Sequence, residues 1–518
     1  MKHWIVLLVV LLFVLLALAP GVWWGDSLNA YIQGVVGQYG SAQPPLFALL
    51  CNVSRVFFPG SMLLFSLCIS LYYLGFFLMS IFSFREKSIA YMLFFLLGFW
   101  PILLANVAVV QTEAIQLGLL SSYIPLVIIF SKYNGRYKWM YFGLLMLMLL
   151  LFSLLRYDSI PVTILLAYWQ AFSLYKQHKL KTLLLSLSLL IGIFVVKVGL
   201  ESYVGIDSKS KNAMSNSLLV ADVAAISAYA HQNYIPEYCW QNYLPDEERD
   251  IEKVQYGLKN WGNSFYSYIY NIDPSVGLFK YDIGDRDSDL KQKWLTVVFN
   301  HPLLYLRFHS TSFFYFLSND NFNMGFWSGL KDAKATKTQI AIEKTAKVDS
   351  FLEKHSNRFS YSNGSIVLYN DEYPINSTEE LDLLSLVPAR RKADVQWMKW
   401  YSSIPASIYV NEHKLSNGYI EPFFEQFKSR ARLFSFLGFY FFSLIFLFAF
   451  FRKSIQDSYL RFSFLVLCCC GIIHIGERFI FITDPVYRFG IISVLFLFQA
   501  ILLLVGQLLS KQKENAHS

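Results

Sequence analysis

Long apolar runs dominate this chain, and their spacing predicts its elements. A helix that crosses a membrane needs about 20 apolar residues, and ten runs approach or exceed that length. They lie near residues 4–20, 61–84, 89–110, 114–131, 139–155, 160–175, 183–200, 433–451, 462–480 and 490–509. The apolar segment 46–58 is interrupted by Asn52 and Arg55 and is predicted to lie in the membrane interface.

A polar stretch follows the first run and predicts an amphipathic helix. Its apolar residues recur at helical spacing, at Leu28, Tyr31, Ile32, Val35, Val36 and Tyr39. Asp26 or Ser27 caps this helix in our interpretation, and Gly40 ends it. We expect an interfacial helix with Asp26 facing a cavity. The alternative is a loop whose tryptophans anchor in the headgroups and whose Asp26 serves only as a cap.

Composition supports a membrane location. Of the 518 residues 55% are hydrophobic and 15% charged, with a mean hydropathy of +0.40, whereas soluble domains average about 25% charged. The net charge of +8 comes from short basic loops and predicts no nucleic-acid partner. The six cysteines form no disulfide pattern, and the first run is expected to remain as an uncleaved span.

The distribution of basic residues over the loops predicts how the chain is oriented in the membrane. Fourteen Lys and Arg residues fall in the loops on the side of the N-terminus, and outside the long loop the opposite side holds five: Arg55, Arg156, Lys197, Arg478 and Arg488. Because short cytoplasmic loops are rich in Lys and Arg, both termini are predicted to be cytoplasmic, in a bacterial inner or cell membrane. The predicted fold is a polytopic α-helical membrane protein of about ten transmembrane helices.

Three regions follow from this pattern. Residues 1–200 form a seven-span module with a first outer loop at 21–60. Residues 201–432 form a large extracytoplasmic domain of helical or mixed structure between spans 7 and 8, in which Ser217–His231 and Trp294–Leu317 are apolar enough to contact the membrane core. Residues 433–518 form three further spans and a cytoplasmic tail.

Acidic residues point to a site on the outer side. The region 201–432 holds 28 of the 36 acids, and five of the remaining eight fall at the outer ends of spans: Asp26, Glu113, Asp158, Glu477 and Asp484. Charges at membrane depth are costly and usually face a bundle interior or a water-filled cavity. Local salt bridges, such as Arg156 with Asp158, are the structural alternative.

No phosphate-binding glycine loop, histidine metal array or nucleophile elbow occurs in the sequence. Arginines suit a phosphate because the guanidinium donates two coplanar hydrogen bonds. A carboxylate beside an acceptor hydroxyl accepts its proton during attack. These groups suit transfer of a group from a lipid phosphate to an acceptor.

The motifs Trp24-Gly25-Asp26, Tyr31 and Gln43-Pro44-Pro45-Leu46 resemble the GT-C superfamily of polyprenyl-phosphate-sugar-dependent glycosyltransferases. Its members include protein O-mannosyltransferases and lipid A aminoarabinose transferases. Trp294, the stretch 301–307 and Tyr487-Arg488-Phe489 are similar to bacterial members. The chain departs from the family where Gln43 replaces a frequent histidine, where Asp26 stands alone rather than as a double acid, and where Glu113 replaces a frequent aspartate.

This resemblance implies an inverting transfer with Asp26 as the catalytic base and the lipid phosphate as leaving group. It implies that Arg156, Arg478 and Arg488 bind the phosphate. Glu113 and Asp158 position the sugar or acceptor or hold a divalent cation, with Asp26 and Glu113 the candidate metal ligands; Tyr31 and Gln43 line the substrate site.

The implied partners are a polyprenyl-phosphate-sugar donor, membrane lipids and a surface glycan, lipid or protein acceptor. A transporter or flippase for a lipid-linked or anionic substrate remains an alternative, since it also needs charges within the membrane. So does a non-enzymatic membrane scaffold, which would tolerate loss of Asp26.

Overall fold

We analysed a computed structural model of the chain. It describes residues 2–18, 30, 34, 39, 44–57, 62–108, 110–175, 178–205, 213–240, 250–261, 278–279, 286–318, 359–362, 365–368, 436–477, 479 and 491–517. Most of the predicted interfacial helix, including Asp26, lies outside these residues.

The described residues are almost entirely helical. The helices before the outer region are α1 (Lys2–Leu18), α2 (Pro45–Phe57), α3 (Met62–Ser83), α4 (Lys87–Gly98), α5 (Pro101–Val107), α6 (Thr112–Phe130), α7 (Lys138–Leu155), α8 (Ile160–Tyr175) and α9 (Lys179–Tyr203). The outer region contains α10 (Ala213–Ala230), α11 (Ile251–Trp261), α12 (Asp287–Asn300), α13 (Pro302–Ser318) and an antiparallel hairpin of β1 (Phe359–Ser362) and β2 (Ser365–Leu368). The last helices are α14 (Leu437–Phe451), α15 (Ser458–Gly476) and α16 (Ile491–His517).

Six of the described helices are long and apolar enough to cross a membrane: α3, α6, α7, α9, α15 and α16. Shorter apolar helices α1, α8 and α14 coincide with three more predicted spans. The segment 89–110, predicted as one span, divides in the structure into α4 and α5. Pro101 is the first residue of α5, and a proline cannot donate the backbone hydrogen bond that would continue α4.

Helices from the two ends of the chain form one bundle. The Trp169 indole N–H of α8 donates to the Ser463 hydroxyl of α15 at 3.2 Å. Trp100, just before α5, donates to the Tyr440 hydroxyl of α14 at 3.1 Å. The final helices therefore complete the core that the first seven predicted spans begin.

Helix α6 lies at the centre of this bundle. About 89% of its apolar segment is buried inside the protein, against 11% for α9. A Cβ added to Gly75 on α3 would lie 2.1 Å from the carbonyl carbon of Ser121 on α6. Small residues let two membrane helices approach this closely, and the Ser121 hydroxyl donates to the Tyr72 carbonyl of α3 at 2.8 Å. This contact fixes the helix whose first turn carries Glu113.

Helices α10 to α13 share a second, smaller core. Val220, Cys239, Leu290 and Phe308 are buried in it. The chain turns at His301–Pro302, and α13 then runs from this core to the membrane bundle, where its Phe316 and Leu317 are buried. Of the two apolar stretches predicted to contact the membrane core, the second thus reaches the helix bundle through the end of α13.

The predicted orientation can be tested by cysteine labelling. Native Cys239 is fully buried, so it is unsuitable for labelling. Ser288 in the outer region and Gln456 between α14 and α15 are exposed. In intact cells, a membrane-impermeant maleimide should label Ser288→Cys and label Gln456→Cys only after lysis. Labelling in the reverse order would place the outer region in the cytoplasm.

Candidate functional site

Two helix ends meet at a cluster of charged side chains. Helix α6 begins after the extended residue Gln111, so Glu113 lies in its first turn, where the helix dipole favours a carboxylate. Helix α7 ends at Leu155, and the extended backbone of the next residue, Arg156, leads into a single 3-10 turn, Tyr157–Ser159, that carries Asp158. The ends of α6 and α7 thereby bring both carboxylates to the same guanidinium.

Arg156 binds both acids. Its Nε donates to Asp158 Oδ1 at 2.9 Å, and its second terminal nitrogen donates to Oδ2 at 2.7 Å. The other terminal nitrogen donates to Glu113 Oε1, and the Thr112 hydroxyl donates to Glu113 Oε2 at 2.8 Å. The side chains of Glu113, Arg156 and Asp158 are 4%, 17% and 20% exposed, so the cluster opens on the Arg156–Asp158 side.

Glu477 adds a third carboxylate to this cluster. It follows α15 directly, is buried, and acts electrostatically on Arg156. Attraction from the carboxylates of Asp158, Glu113 and Glu477 favours the charged guanidinium and offsets the cost of its burial. Glu113 and Asp158 already occupy hydrogen-bond donors of this guanidinium.

Two further polar side chains lie close in the chain to Glu113 and Glu477. The buried Gln111 Oε1 accepts no hydrogen bond from the residues that the structure describes. His474 on α15 lies with Nε2 4.0 Å from Glu477 Oε1 and Nδ1 3.2 Å from the Ser493 hydroxyl of α16. A buried acceptor such as Gln111 Oε1 normally meets a donor, which a hydroxyl group could supply.

A second polar cluster joins α10, α12 and α13 to Phe479. Asp222 on α10 accepts a hydrogen bond from the Trp294 indole of α12 at 2.9 Å and contacts His309 Nε2 on α13 at 3.0 Å. His309 Nδ1 lies 2.7 Å from the Phe479 carbonyl. Asp222 and His309 are 5% and 1% exposed.

The structure thus brings together part of the predicted site. Of the five acids expected to converge, Glu113 and Asp158 bind Arg156, and Glu477 is close enough to act on it electrostatically. The local Arg156–Asp158 pair that the sequence left open is also present. The other predicted site residues lie outside the described residues: Asp26, Tyr31, Gln43, Arg478 and Arg488.

Sequence reasoning missed Asp222 and His309 as a pair. The available signals were a lone acid within the otherwise small and apolar stretch 217–230 and a lone histidine within an aromatic helix. In the part of the chain that the structure describes, no three His, Cys, Asp or Glu side chains are arranged to hold a metal ion. Glu113 is bound by Arg156 and Thr112.

Comparison with known proteins adds no family assignment. No protein-family model matches the sequence, and no curated protein or solved structure is significantly similar to it. The fold and the site define the class only: a predominantly helical protein whose long apolar helices are compatible with a multi-pass membrane location. A partly buried cluster of opposite charges lies where several of its helices end.

Proposed function

We propose that this protein transfers a sugar from a polyprenyl-phosphate-linked donor to a cell-surface acceptor at the outer face of the membrane. In this proposal it has about ten spans, including the short apolar helices α1, α8 and α14 and the interrupted pair α4–α5. The observation that supports it most is the pair of carboxylates, Glu113 and Asp158, held on Arg156 where α6 and α7 end. The motifs around Asp26 that resemble GT-C enzymes supply the reaction class.

The hydrogen bonds that Arg156 already makes decide which part of the substrate the cluster binds. A phosphate placed on Arg156 would compete with Glu113 and Asp158 for the same N–H groups and would face their negative charge. Hydroxyl groups of a sugar or acceptor instead donate to carboxylates and to Gln111 Oε1. We therefore assign sugar or acceptor hydroxyls to Glu113 and Asp158, with Arg156 holding both carboxylates in place, and the phosphate to Arg478 and Arg488.

The reaction then follows from these assignments. Asp26 accepts the proton of the acceptor hydroxyl as its oxygen attacks the anomeric carbon. The bond from that carbon to the phosphate oxygen breaks through an oxocarbenium-like transition state with inversion. The leaving phosphate takes the bonding electrons, and the two arginines stabilise its charge.

Transport of a lipid-linked or anionic substrate is the second candidate. The observation that favours it is the break between α4 and α5 at Phe99–Trp100, because discontinuous helices are common at transporter binding sites. A transporter would move its substrate without breaking the sugar–phosphate bond, and this difference separates the two candidates.

The test compares surface glycans and lipid extracts from cells with and without this chain by mass spectrometry. Transfer predicts that loss of the protein removes one sugar from a surface molecule and that the corresponding polyprenyl-phosphate sugar accumulates. Purified protein in vesicles should then cleave that lipid-linked sugar in the presence of acceptor, without a nucleotide sugar. Movement of the intact lipid across the vesicle membrane without cleavage would support the transporter, and use of nucleotide sugars alone would refute the proposed donor.

A further inference from the structure

Helix α13 lies along one end of the membrane bundle. Its Phe313 ring lies 5.9 Å from the Phe441 ring near the start of α14 and 5.7 Å from the Phe479 ring beyond α15, between centroids. At the end of α13, a Cβ added to Gly438 of α14 would lie 3.3 Å from the Leu317 carbonyl oxygen. The start of α14 and the end of α15 lie at the same end of the bundle, so α13 meets the bundle there.

Contacts at three successive turns fix the direction of α13. His309, Phe313 and Leu317 all meet this end of the bundle, over a length of about 12 Å along the helix axis. A helix that projected from the bundle would lose contact after its last turn. Helix α13 therefore runs across the end of the bundle, at the level where a membrane surface would meet it. Its first residue, Pro302, lies about 10 Å further along this line.

The face of α12 and α13 that their protein neighbours leave open is apolar. Phe299 and Leu303, on either side of the turn at His301–Pro302, are each 78% exposed. Three more exposed apolar side chains continue this face along the two helices at helical spacing: Leu295, Leu306 and Phe314. We call these five side chains the corner patch. Buried side chains of the same helices, Leu290 and Phe308 among them, lie in the second core instead.

The charged residues of this segment are all basic. Residues 290–318 contain three bases and no Asp or Glu, although the surrounding region holds 28 of the 36 acids. Lys291 lies one turn before the corner patch begins on α12, and Arg307 lies one turn after Leu303 on α13. The Arg307 guanidinium lies over the Tyr229 ring at 4.4 Å and remains exposed. Apolar side chains flanked by long basic ones are typical of helices that lie on a lipid surface, because the apolar groups enter the acyl boundary while the cations reach the phosphates.

We propose that the corner patch is a lipid-binding surface, which inserts into the membrane leaflet beside the bundle with Lys291 and Arg307 at the level of the lipid phosphates. Interfacial helices bury their apolar face about 5–10 Å into the boundary between headgroups and acyl chains, and Phe299 and Leu303 form the tip that enters it. Helix α13 is then held by the bundle at one end and by lipid at the other. The second core is thereby attached to the membrane at two points.

A membrane accounts for the corner patch better than a second copy of the chain or another protein does. The course of α13 along the end of the bundle places the patch at membrane level, and residues 290–318 carry no acid that lipid phosphates would repel. The inference requires that the bundle crosses a membrane. It requires neither sugar transfer nor a particular orientation of the chain.

Fluorescence quenching in vesicles of phosphatidylcholine and phosphatidylglycerol tests this surface. The full-length protein carries a nitrobenzoxadiazole label at Phe299→Cys or Leu303→Cys, two exposed positions at which substitution should leave the fold intact. Ile191→Cys, at the exposed middle of α9, is the matched control for a position within the membrane. Ser288→Cys, exposed at the start of α12, is the control for a position in water. The native chain, labelled in the same way, gives the background from Cys469, which is only partly buried.

Lipids brominated near the headgroup end of their chains should quench both corner labels severalfold more than lipids brominated at the chain end, because the patch lies at the boundary. Iodide, present on both sides of the vesicle membrane, should leave these labels unquenched. The label at Ile191 should show the opposite order of the two lipids, and the label at Ser288 should respond to iodide alone.

Two results would overturn the inference. Quenching of the corner labels by iodide as strong as at Ser288 would leave the patch in water, and quenching by neither iodide nor lipid would show that protein covers it. If lipid quenches the label at Ile191 in the same samples, the bundle crosses the membrane and only the lipid contact of the corner patch fails. If lipid does not quench the label at Ile191, the membrane arrangement in the proposed function fails as well. None of these outcomes depends on sugar transfer.

Discussion

Asp26→Asn is expected to lower the rate of sugar transfer by about 10²–10⁴-fold, the range that general base catalysis supplies. Asparagine has nearly the shape of aspartate, but its amide does not accept the proton of an attacking hydroxyl. It also caps helices about as well as aspartate, so the protein should fold and insert normally. Turnover of the polyprenyl-phosphate donor, measured at equal amounts of inserted protein, gives the comparison.

Asp457→Asn is the matched control for this change. Asp457 caps α15, where its Oδ1 accepts from the backbone N–H groups of Tyr459 and Leu460 at 2.9 Å each. The same substitution at this cap should leave transfer near the native rate. Native activity in Asp26→Asn would remove Asp26 from the mechanism and make Glu113 the next candidate base.

Arg156→Ala is expected to destabilise the protein and abolish transfer. It takes the guanidinium from Glu113, whose side chain is only 4% exposed, and from Asp158. Removing one partner of a buried ion pair costs about 3–5 kcal/mol because the other charge remains in the interior. The greater exposure of Arg156 and Asp158 places the expected loss at the lower end of that range. The measurement is the thermal unfolding midpoint in detergent, beside donor turnover.

A second variant distinguishes charge from volume. Arg156→Met combined with Glu113→Gln removes the buried carboxylate together with its partner, and should recover much of the stability without recovering transfer. Arg452→Ala, at an exposed arginine in the loop before α15, serves as the control and should change neither quantity. Equal losses in Arg156→Ala and Arg452→Ala would show that the cluster does not support the fold.

Most helices could be predicted from the sequence, because a long uninterrupted apolar run is typical of a membrane helix. The run 160–175 corresponds to Ile160–Tyr175, and 139–155 differs by one residue from Lys138–Leu155. The break before Pro101 was missed because hydropathy does not register one proline among apolar neighbours. Its effect is on backbone hydrogen bonding, and the chain begins a new helix there instead of continuing the old one.

The contacts within the site were less accessible to sequence reasoning. The charge pattern placed Glu113, Arg156 and Asp158 on one side of the membrane, but it did not fix which helices are neighbours. Arg156 and Asp158 are only two positions apart and meet through a local turn. The contact of Arg156 with Glu113 depends instead on the packing of α6 beside α7. The Asp222–His309 pair joins residues 87 positions apart, and a lone histidine in an aromatic helix gives no indication of such a partner.

The contrast in burial between α6 and α9 has a consequence for how the protein responds to its lipids. Changes in bilayer thickness act on helices that lipid touches, through tilting or local deformation. In a bilayer, α9, with 11% of its apolar segment buried, would meet such changes directly, while α6, with 89% buried and packed on α3 at Gly75, would be screened by its neighbours. Glu113 would then lie on the part of the bundle that a thinner or thicker membrane deforms least.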